Sequence, residues 1–150
     1  MKRWGRVDIL VNNAGGATTP VDRSLPSSFP MEDLQEMLNM NLMSAIHCCQ
    51  AVAPVMRAQG SGVIVNTASI AARGVSGRGS LAPYAVARAA VLHYTRNLAA
   101  ELGPDGIRAN CIAPGTILGS RVAAQAMARG IGAPGAERHI PLRRLGTVED

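Results

Sequence analysis

The sequence predicts an α/β fold in which a parallel sheet is flanked by helices. Residues 7–11, 63–65 and 107–112 are short apolar runs of the length and composition typical of buried strands. Segments with helical periodicity lie between them, so strand and helix alternate along the chain. Strands joined through helical crossovers run parallel, and such crossovers are right-handed.

Length and composition favour one domain without membrane spans. The chain has 150 residues, 47% of them hydrophobic, which is enough for a buried core, and we predict one domain over residues 1–150. Its apolar stretches are far shorter than the roughly 20 residues of a membrane span, and the first five residues do not open a signal peptide. Cys48, Cys49 and Cys111 lack metal-ligand spacing and fit small buried hydrophobes. We expect a cytoplasmic protein without a metal site.

The charge leaves an anionic partner open, but the composition opposes nucleic acid. A formal net charge of +5 suits a nucleic acid, a phosphorylated cofactor or an acidic membrane. The basic residues are scattered, however, and aromatic residues make up only 3% of the chain, too few for base-stacking platforms. We therefore predict no nucleic-acid partner and no membrane partner.

The first strand leads through a small-residue turn to a long helical segment. Residues 7–11 are followed by Asn12-Asn13-Ala14-Gly15-Gly16, whose small side chains let the backbone approach a ligand. Asn12 or Asn13 could instead tie neighbouring strands together. Helical periodicity then extends over residues 31–59, and Asn41 and Pro54 are possible sites of a kink or break.

The second strand ends near Ser69, and the next helix is predicted over residues 83–102. Tyr84 and Arg88 are four residues apart and share one face of this helix. A phenol beside a fixed positive charge suits general acid/base chemistry, because the charge favours the phenolate. Ser69 could hydrogen-bond the reacting oxygen. A solvated helix start and an ordinary polar strand end explain the three residues equally well.

The third strand also ends in a small-residue turn. Residues 107–112 lead to Ala113-Pro114-Gly115-Thr116, residues 121–129 look helical, and no later segment has a strand pattern. All three turns follow the carboxyl ends of strands, which is where open parallel sheets bind ligands. This coincidence predicts a ligand site at that edge of the sheet.

Four segments, residues 8–15, 63–69, 84–88 and 107–115, together resemble the short-chain dehydrogenase/reductase family. Members of this family transfer hydride between NAD(P) and alcohols or carbonyls on a Rossmann fold. The resemblance covers nearly the whole chain. It implies a partial Rossmann-type parallel sheet that lacks the N-terminal βαβαβ half, so that residues 1–150 form the catalytic half.

The resemblance also implies roles for individual residues. Tyr84 is the expected acid/base, Ser69 orients the substrate oxygen, and Asn41 holds a water at the helix break in a proton relay. Asn41 could alternatively be a polar residue that satisfies the break. Arg88 replaces the family's lysine and keeps the charge, but it does not release its proton near neutral pH. The implied cofactor-binding residues are Asn13, Ala14, Gly15, Tyr84, Arg88, Pro114, Gly115 and Ile117.

Other chemistries have less support. His47, His93 and His139 lack metal-ligand spacing and are predicted to be structural or solvated. A serine hydrolase is disfavoured because the G-x-S-x-G elbow is absent from the sequence.

Two classes of function remain open. The family's glycine-rich phosphate-binding turn has no counterpart, because the chain begins at what resembles the fourth strand, so we expect weak or absent NAD or NADP binding by this chain alone. The first class is an NAD(P)-dependent oxidoreductase acting on a small alcohol or carbonyl. The alternative is a non-catalytic fragment or oligomerisation module derived from such an enzyme. A homo-oligomer formed through the two long helices fits both.

Overall fold

The computed structural model describes residues 4–75, 79–125 and 135–150. The chain divides into two units, Met1–Ala113 and Pro114–Asp150, and each unit has its own sheet. A single domain over residues 1–150 stays a prediction.

The first unit is built on three parallel strands in the order β1-β2-β3. These strands are β1 (Ile9–Asn12), β2 (Gly62–Thr67) and β3 (Ile107–Ile112). The three predicted strands and their parallel arrangement are confirmed. The first begins two residues later than predicted and the second is longer at both ends, because pairing with a neighbour, not apolar composition, defines where a strand stops.

A nearly continuous helical segment connects β1 to β2. It consists of α1 (Met31–Leu38), a π-helical turn (Asn39–Met43) and α2 (Ser44–Gln59). The predicted break at Asn41 is confirmed as this π turn, a feature often found at functional sites. Pro54 lies inside α2 and does not interrupt it.

A second long helix, α3 (Ala82–Leu102), connects β2 to β3 and begins one residue before the predicted start. It packs with α2 against one face of the sheet. The core between them consists of Cys49, Ala53, Met56, Ile64, Leu98, Leu102 and Ile107. Burial of such apolar side chains contributes roughly 25 cal/mol per Å² to stability, and it fixes both helices on the sheet. Cys49 is buried as predicted, whereas Cys48 is exposed because it lies on the solvent side of α2.

β1 is an edge strand with exposed apolar side chains, and we predict that it causes self-association. Ile9 is 63% exposed and Val11 is 57% exposed on a strand that pairs on one side only within the described residues. Unpaired strand edges recruit other chains, and charged residues oppose this. We therefore expect the average mass of the wild-type chain, measured by light scattering, to increase with protein concentration. Val11→Lys should reduce this increase. Ile70→Lys is the control, because Ile70 is similarly exposed but lies outside the strands. A wild-type chain that stays monomeric at high concentration would contradict the prediction.

The second unit contains a short parallel pair, β4 (Ile117–Leu118) with β5 (Gly146–Thr147). The prediction that no strand follows β3 is wrong, because strands of two residues are too short to produce a recognisable pattern. The helix predicted over residues 121–129 is observed as α4 (Ser120–Gln125), and its predicted remainder lies outside the described residues.

Within residues 4–75, 79–125 and 135–150, no helix is both long and apolar enough to cross a membrane. The same ranges hold no group of three or more His, Cys, Asp or Glu side chains that could bind a metal ion. His47, His93 and His139 are exposed, which confirms the solvated alternative for the histidines.

Candidate active site

The predicted residues of the first unit lie around the carboxyl ends of β1 and β2. Asn13, Ala14 and Gly15 follow β1, and Ser69 follows β2. The other predicted residues are carried by helices: Asn41 by the π turn, and Tyr84 and Arg88 by the first two turns of α3.

Gly15 is the point where Asn41 and Arg88 meet. Its backbone has φ +133°, and a Cβ built on it would lie 2.5 Å from Asn41 Oδ1 and 2.7 Å from Arg88 Nη2. Both distances are shorter than a Cβ atom tolerates, and L side chains rarely adopt this backbone conformation. The turn after β1 therefore requires glycine here, and three residues that are distant in sequence become neighbours.

Asn41 fixes this turn through its side-chain amide. The residue is 1% exposed. Its Oδ1 accepts a hydrogen bond of 2.9 Å from the Gly16 N–H, and its Nδ2 donates to the carbonyls of Gly16, at 3.1 Å, and Met37, at 2.9 Å. Because both amide protons are used inside the protein, these bonds support the alternative that Asn41 satisfies the helix break. A relay water held by Asn41 stays a prediction.

Arg88 places a buried positive charge beside Tyr84. The side chain is 4% exposed, and its Nη1 donates to the Thr67 carbonyl at the end of β2. Its guanidinium carbon lies 5.4 Å from the centre of the Tyr84 ring, within the range of a cation–π contact. The Arg88 Nε is buried and finds no hydrogen-bond partner among the described residues. A buried N–H without a partner is costly and uncommon in folded proteins, so this one needs an explanation such as a functional role.

Ser69 and Tyr84 are both half-buried at this edge of the sheet. Ser69 Oγ accepts a hydrogen bond of 3.2 Å from the Ala71 N–H, which starts the 3₁₀ turn Ile70–Ala72. The hydroxyl proton of Ser69 is not used in that bond and can be donated to another oxygen. In the described part of the chain, no hydrogen bond joins Ser69 to Tyr84.

The remaining predicted residues belong to the second unit. Pro114 and Gly115 lie between β3 and β4, and Ile117 is the first residue of β4. Pro114 and Ile117 are half-buried, while Gly115 is exposed.

A buried polar chain beneath the site was not predicted from the sequence. Asn12 Nδ2 donates to Asn66 Oδ1 at 2.8 Å, and Asn66 Nδ2 donates to Thr95 Oγ1 at 2.9 Å. Thr95 in turn donates to the Val91 carbonyl at 2.8 Å. Asn12 thus links β1 to β2, which agrees with the alternative interpretation that it ties neighbouring strands together. The sequence signal was Asn66, the amide side chain that directly follows the apolar run of β2.

Tyr94 lies next to these hydrogen-bonded side chains and makes the stability of the fold sensitive to alkaline pH. Burial, with the adjacent Cys49 thiol, raises the pKa of Tyr94 to about 12. The folded state thus holds this proton more tightly than the unfolded state, so the stabilisation is complete below about pH 10 and is lost as pH rises toward 12. Because Tyr94 is only partly buried, we expect a loss on the order of 1 kcal/mol after allowing for solvent screening. Urea unfolding at about pH 9 and about pH 11.5 measures it. Tyr94→Phe should reduce this loss, and an equal loss in the variant would contradict the assignment.

Two cavities lie away from the predicted residues. One of about 200 Å³ lies beside the start of α3, where Ala82, Ala85 and Val86 occupy a helix face rotated away from Tyr84 and Arg88. The other is an open groove of about 900 Å³ along α1 and the π turn. Neither is lined by a residue of the predicted site.

A glycine spacing in the second unit matches a phosphate-binding pattern by letters only. Gly130, Gly132 and Gly135 have the spacing G-x-G-x-x-G. That pattern binds dinucleotides where it follows a strand and opens a helix, whereas here it follows α4. Gly130 and Gly132 lie outside the described residues, so we assign no phosphate site to them.

The chain is similar over its whole length to known proteins. The family profile described as "Enoyl-(Acyl carrier protein) reductase" matches residues 1–150. Cyclohexanol dehydrogenase of Rhodococcus sp. (strain TK6) is 40% identical over 147 residues, which are 98% of this chain and 54% of that protein. The 7α-hydroxysteroid dehydrogenase of Escherichia coli (strain K12) is 38% identical over 154 residues, covering 100% of this chain and 55% of that protein.

Solved structures share the fold. A 7α-hydroxysteroid dehydrogenase complexed with NADH and 7-oxo glycochenodeoxycholic acid superposes with a TM-score of 0.77 at 39% identity, covering 97% of this chain and 54% of that one. The chain spans about half the length of the curated relatives it matches. With the profile match over all 150 residues, these similarities establish that the chain belongs to the short-chain dehydrogenase/reductase family.

Proposed function

We propose that this chain carries the catalytic half of an oxidoreductase that transfers hydride between NAD(P) and an alcohol or carbonyl substrate. The observation that carries the proposal is the packing of Arg88 against both Gly15 and the Tyr84 ring, at the carboxyl ends of β1 and β2. This brings a phenol, a permanent cation and a tight glycine turn to the sheet edge where parallel α/β folds bind ligands.

Each catalytic side chain has a distinct role in the proposal. Tyr84 exchanges the proton with the substrate oxygen, and Arg88 stabilises the negative charge that develops on the phenol oxygen. Ser69 donates its free hydroxyl proton to the same substrate oxygen. Asn41 acts by holding the Gly15–Gly16 turn, and a water on its π turn would continue the proton path.

The polar groups around the glycine turn of the first unit fit the ribose of NAD(P). When bound, the cofactor supplies or accepts the hydride. Asn13 and Ala14 are exposed beside the glycine turn, and the Asn13 Oδ1 is oriented by a hydrogen bond of 3.3 Å from Thr67 Oγ1. With Gly15, Tyr84 and Arg88 they would hold a ribose. In the second unit, the role of Pro114, Gly115 and Ile117 as nicotinamide contacts stays a proposal that the family resemblance implies.

The proposed substrate is a small molecule with a secondary alcohol or ketone on a ring. Support comes from the names of the relatives, which include a cyclohexanol dehydrogenase and 7α-hydroxysteroid dehydrogenases. We also propose a cytoplasmic location, consistent with three free cysteines, and a homo-oligomer formed through the two long helical segments.

A chimera tests the proposal. The chain would be joined to the part of the Rhodococcus cyclohexanol dehydrogenase that it does not cover, and oxidation of cyclohexanol would be followed by the absorbance of reduced nicotinamide. NAD- or NADP-dependent turnover is the expected result. A folded chimera that binds the cofactor but shows no turnover would favour the non-catalytic alternative.

We further predict that the 150-residue chain alone binds NAD(P) weakly. A dinucleotide gains much of its affinity from backbone N–H groups that hold its phosphates, each worth about 1.5–3 kcal/mol, and no such cradle is assigned in the described residues. Calorimetric titration with NAD and NADP should therefore give dissociation constants well above micromolar. Micromolar affinity for either dinucleotide would contradict this prediction.

A further inference from the structure

The loop after β1 holds the first turn of α3. Ser24 is fully buried at the end of the 3₁₀ turn Val21–Arg23. Its Oγ accepts a hydrogen bond of 3.0 Å from the Leu81 N–H, and its carbonyl accepts one of 3.1 Å from the Ala82 N–H. The same Oγ donates to the Val21 carbonyl at 2.8 Å. The first N–H groups of a helix have no hydrogen-bond partner within the helix. At the start of α3, Ser24 is the partner of two such N–H groups.

The backbone that Ser24 holds is strained. Leu81, which precedes α3, has φ +69° and ψ +21°, a left-handed conformation that residues other than glycine rarely adopt. Such a conformation persists only where surrounding contacts impose it, and the two hydrogen bonds to Ser24 are contacts of this kind.

The same loop is fixed at two further points. Arg23 forms a bidentate ion pair with Asp33 at the start of α1, with distances of 3.0 and 2.9 Å. Pro26 packs against Gly79, where a Cβ would approach its ring to 3.2 Å. The loop therefore contacts the first turn of α1 and the start of α3 and connects the two.

Tyr84 depends on that first turn. It is the third residue of α3, in the terminal region where helices fray most easily. One turn later, Arg88 is anchored on the Thr67 carbonyl. The Tyr84 ring thus lies between an anchored residue and the helix start that Ser24 caps.

We infer that Ser24 is a positioning residue for Tyr84, which acts by capping α3 from the loop after β1. The importance of Ser24 for catalysis rests on the proposed function. The hydrogen bonds by which Ser24 caps α3 are independent of that function. A shift of the Tyr84 hydroxyl by about 1 Å would lower turnover by as much as about a hundredfold in the proposed reaction.

The test uses the 150-residue chain without cofactor, so its outcome is independent of the proposed function. The chain contains two tyrosines, and Tyr94→Phe assigns their ring resonances in NMR spectra. Ser24→Ala should shift the Tyr84 ring resonances, leave those of Tyr94 in place, and accelerate amide exchange of Leu81 and Ala82 by about tenfold or more. Ser28→Ala, the same change at an exposed position of the same loop, should alter neither.

Rescue separates positioning from general stability. Glycine adopts the left-handed conformation without steric cost, so adding Leu81→Gly to Ser24→Ala should restore the Tyr84 resonances. Unchanged Tyr84 resonances in folded Ser24→Ala, or uniform acceleration of exchange throughout the first unit, would overturn the inference, as would a double variant that fails to restore them. If Ser24→Ala does not fold, the double variant decides alone: native Tyr84 resonances support the inference, and absence of folding overturns it.

Discussion

Tyr84→Phe is expected to abolish turnover in the chimera, because it removes the proposed proton donor and leaves the ring. The phenyl ring retains the packing that Tyr84 makes and its contact with the Arg88 guanidinium, so the geometry of α3 should persist. General acid/base catalysis typically contributes 10²- to 10⁴-fold in rate, and the loss should be at least about this large. The measurement is kcat for an accepted alcohol over about pH 6 to pH 10.

Tyr94→Phe is the matched control, since it removes the other phenol of the chain from a site beneath the sheet edge. We expect it to change kcat by no more than about twofold at neutral pH, where the Tyr94 phenol is protonated and its alkaline titration has no effect. Turnover that survives Tyr84→Phe would mean that the residue is not the acid/base and that the family resemblance misassigned the site.

The sequence was sufficient for the architecture of the first unit because its signals are local. Residues 107–112 alternate between apolar and polar side chains, which is the period of a strand, and the observed β3 has the same bounds and an alternating burial pattern. The break in the helix at Asn41 could also be predicted, since an amide side chain on an otherwise apolar helix face needs hydrogen-bond partners. The two-residue strands β4 and β5 could not be predicted from the sequence, because they are defined only by their pairing with each other.

The arrangement of the candidate site needed the structure, because its contacts join distant parts of the chain. Nothing in the sequence indicates that Asn41 bonds the Gly16 backbone or that Arg88 approaches Gly15. Ser24 is an ordinary loop serine by composition, and its burial and its bonds to the start of α3 appear only in three dimensions. Local patterns therefore identified which residue types could act, while packing determined how they are held.

Arg88→Lys is expected to raise turnover of the chimera. The Arg88 guanidinium supplies charge to Tyr84, but it is committed to the Thr67 carbonyl and does not release a proton near neutral pH. An ammonium group at the same position keeps the charge and can exchange protons with the path toward Asn41 and solvent. Since an interrupted relay forfeits part of the 10²- to 10⁴-fold acid/base contribution, we expect kcat to increase by about tenfold.

Stability should change little, so the effect on kcat can be attributed to chemistry. Lysine removes the buried, unpartnered Nε of Arg88, but it buries a more strongly hydrated ammonium group and weakens the bond to the Thr67 carbonyl. These opposing effects are each on the order of 1–3 kcal/mol. Urea unfolding of both proteins measures the balance. Arg57→Lys is the control, because it makes the same change at an exposed ion pair. If Arg88→Lys leaves kcat unchanged while Tyr84→Phe abolishes it, Arg88 is a competent replacement for lysine, and the site works without a proton relay through residue 88.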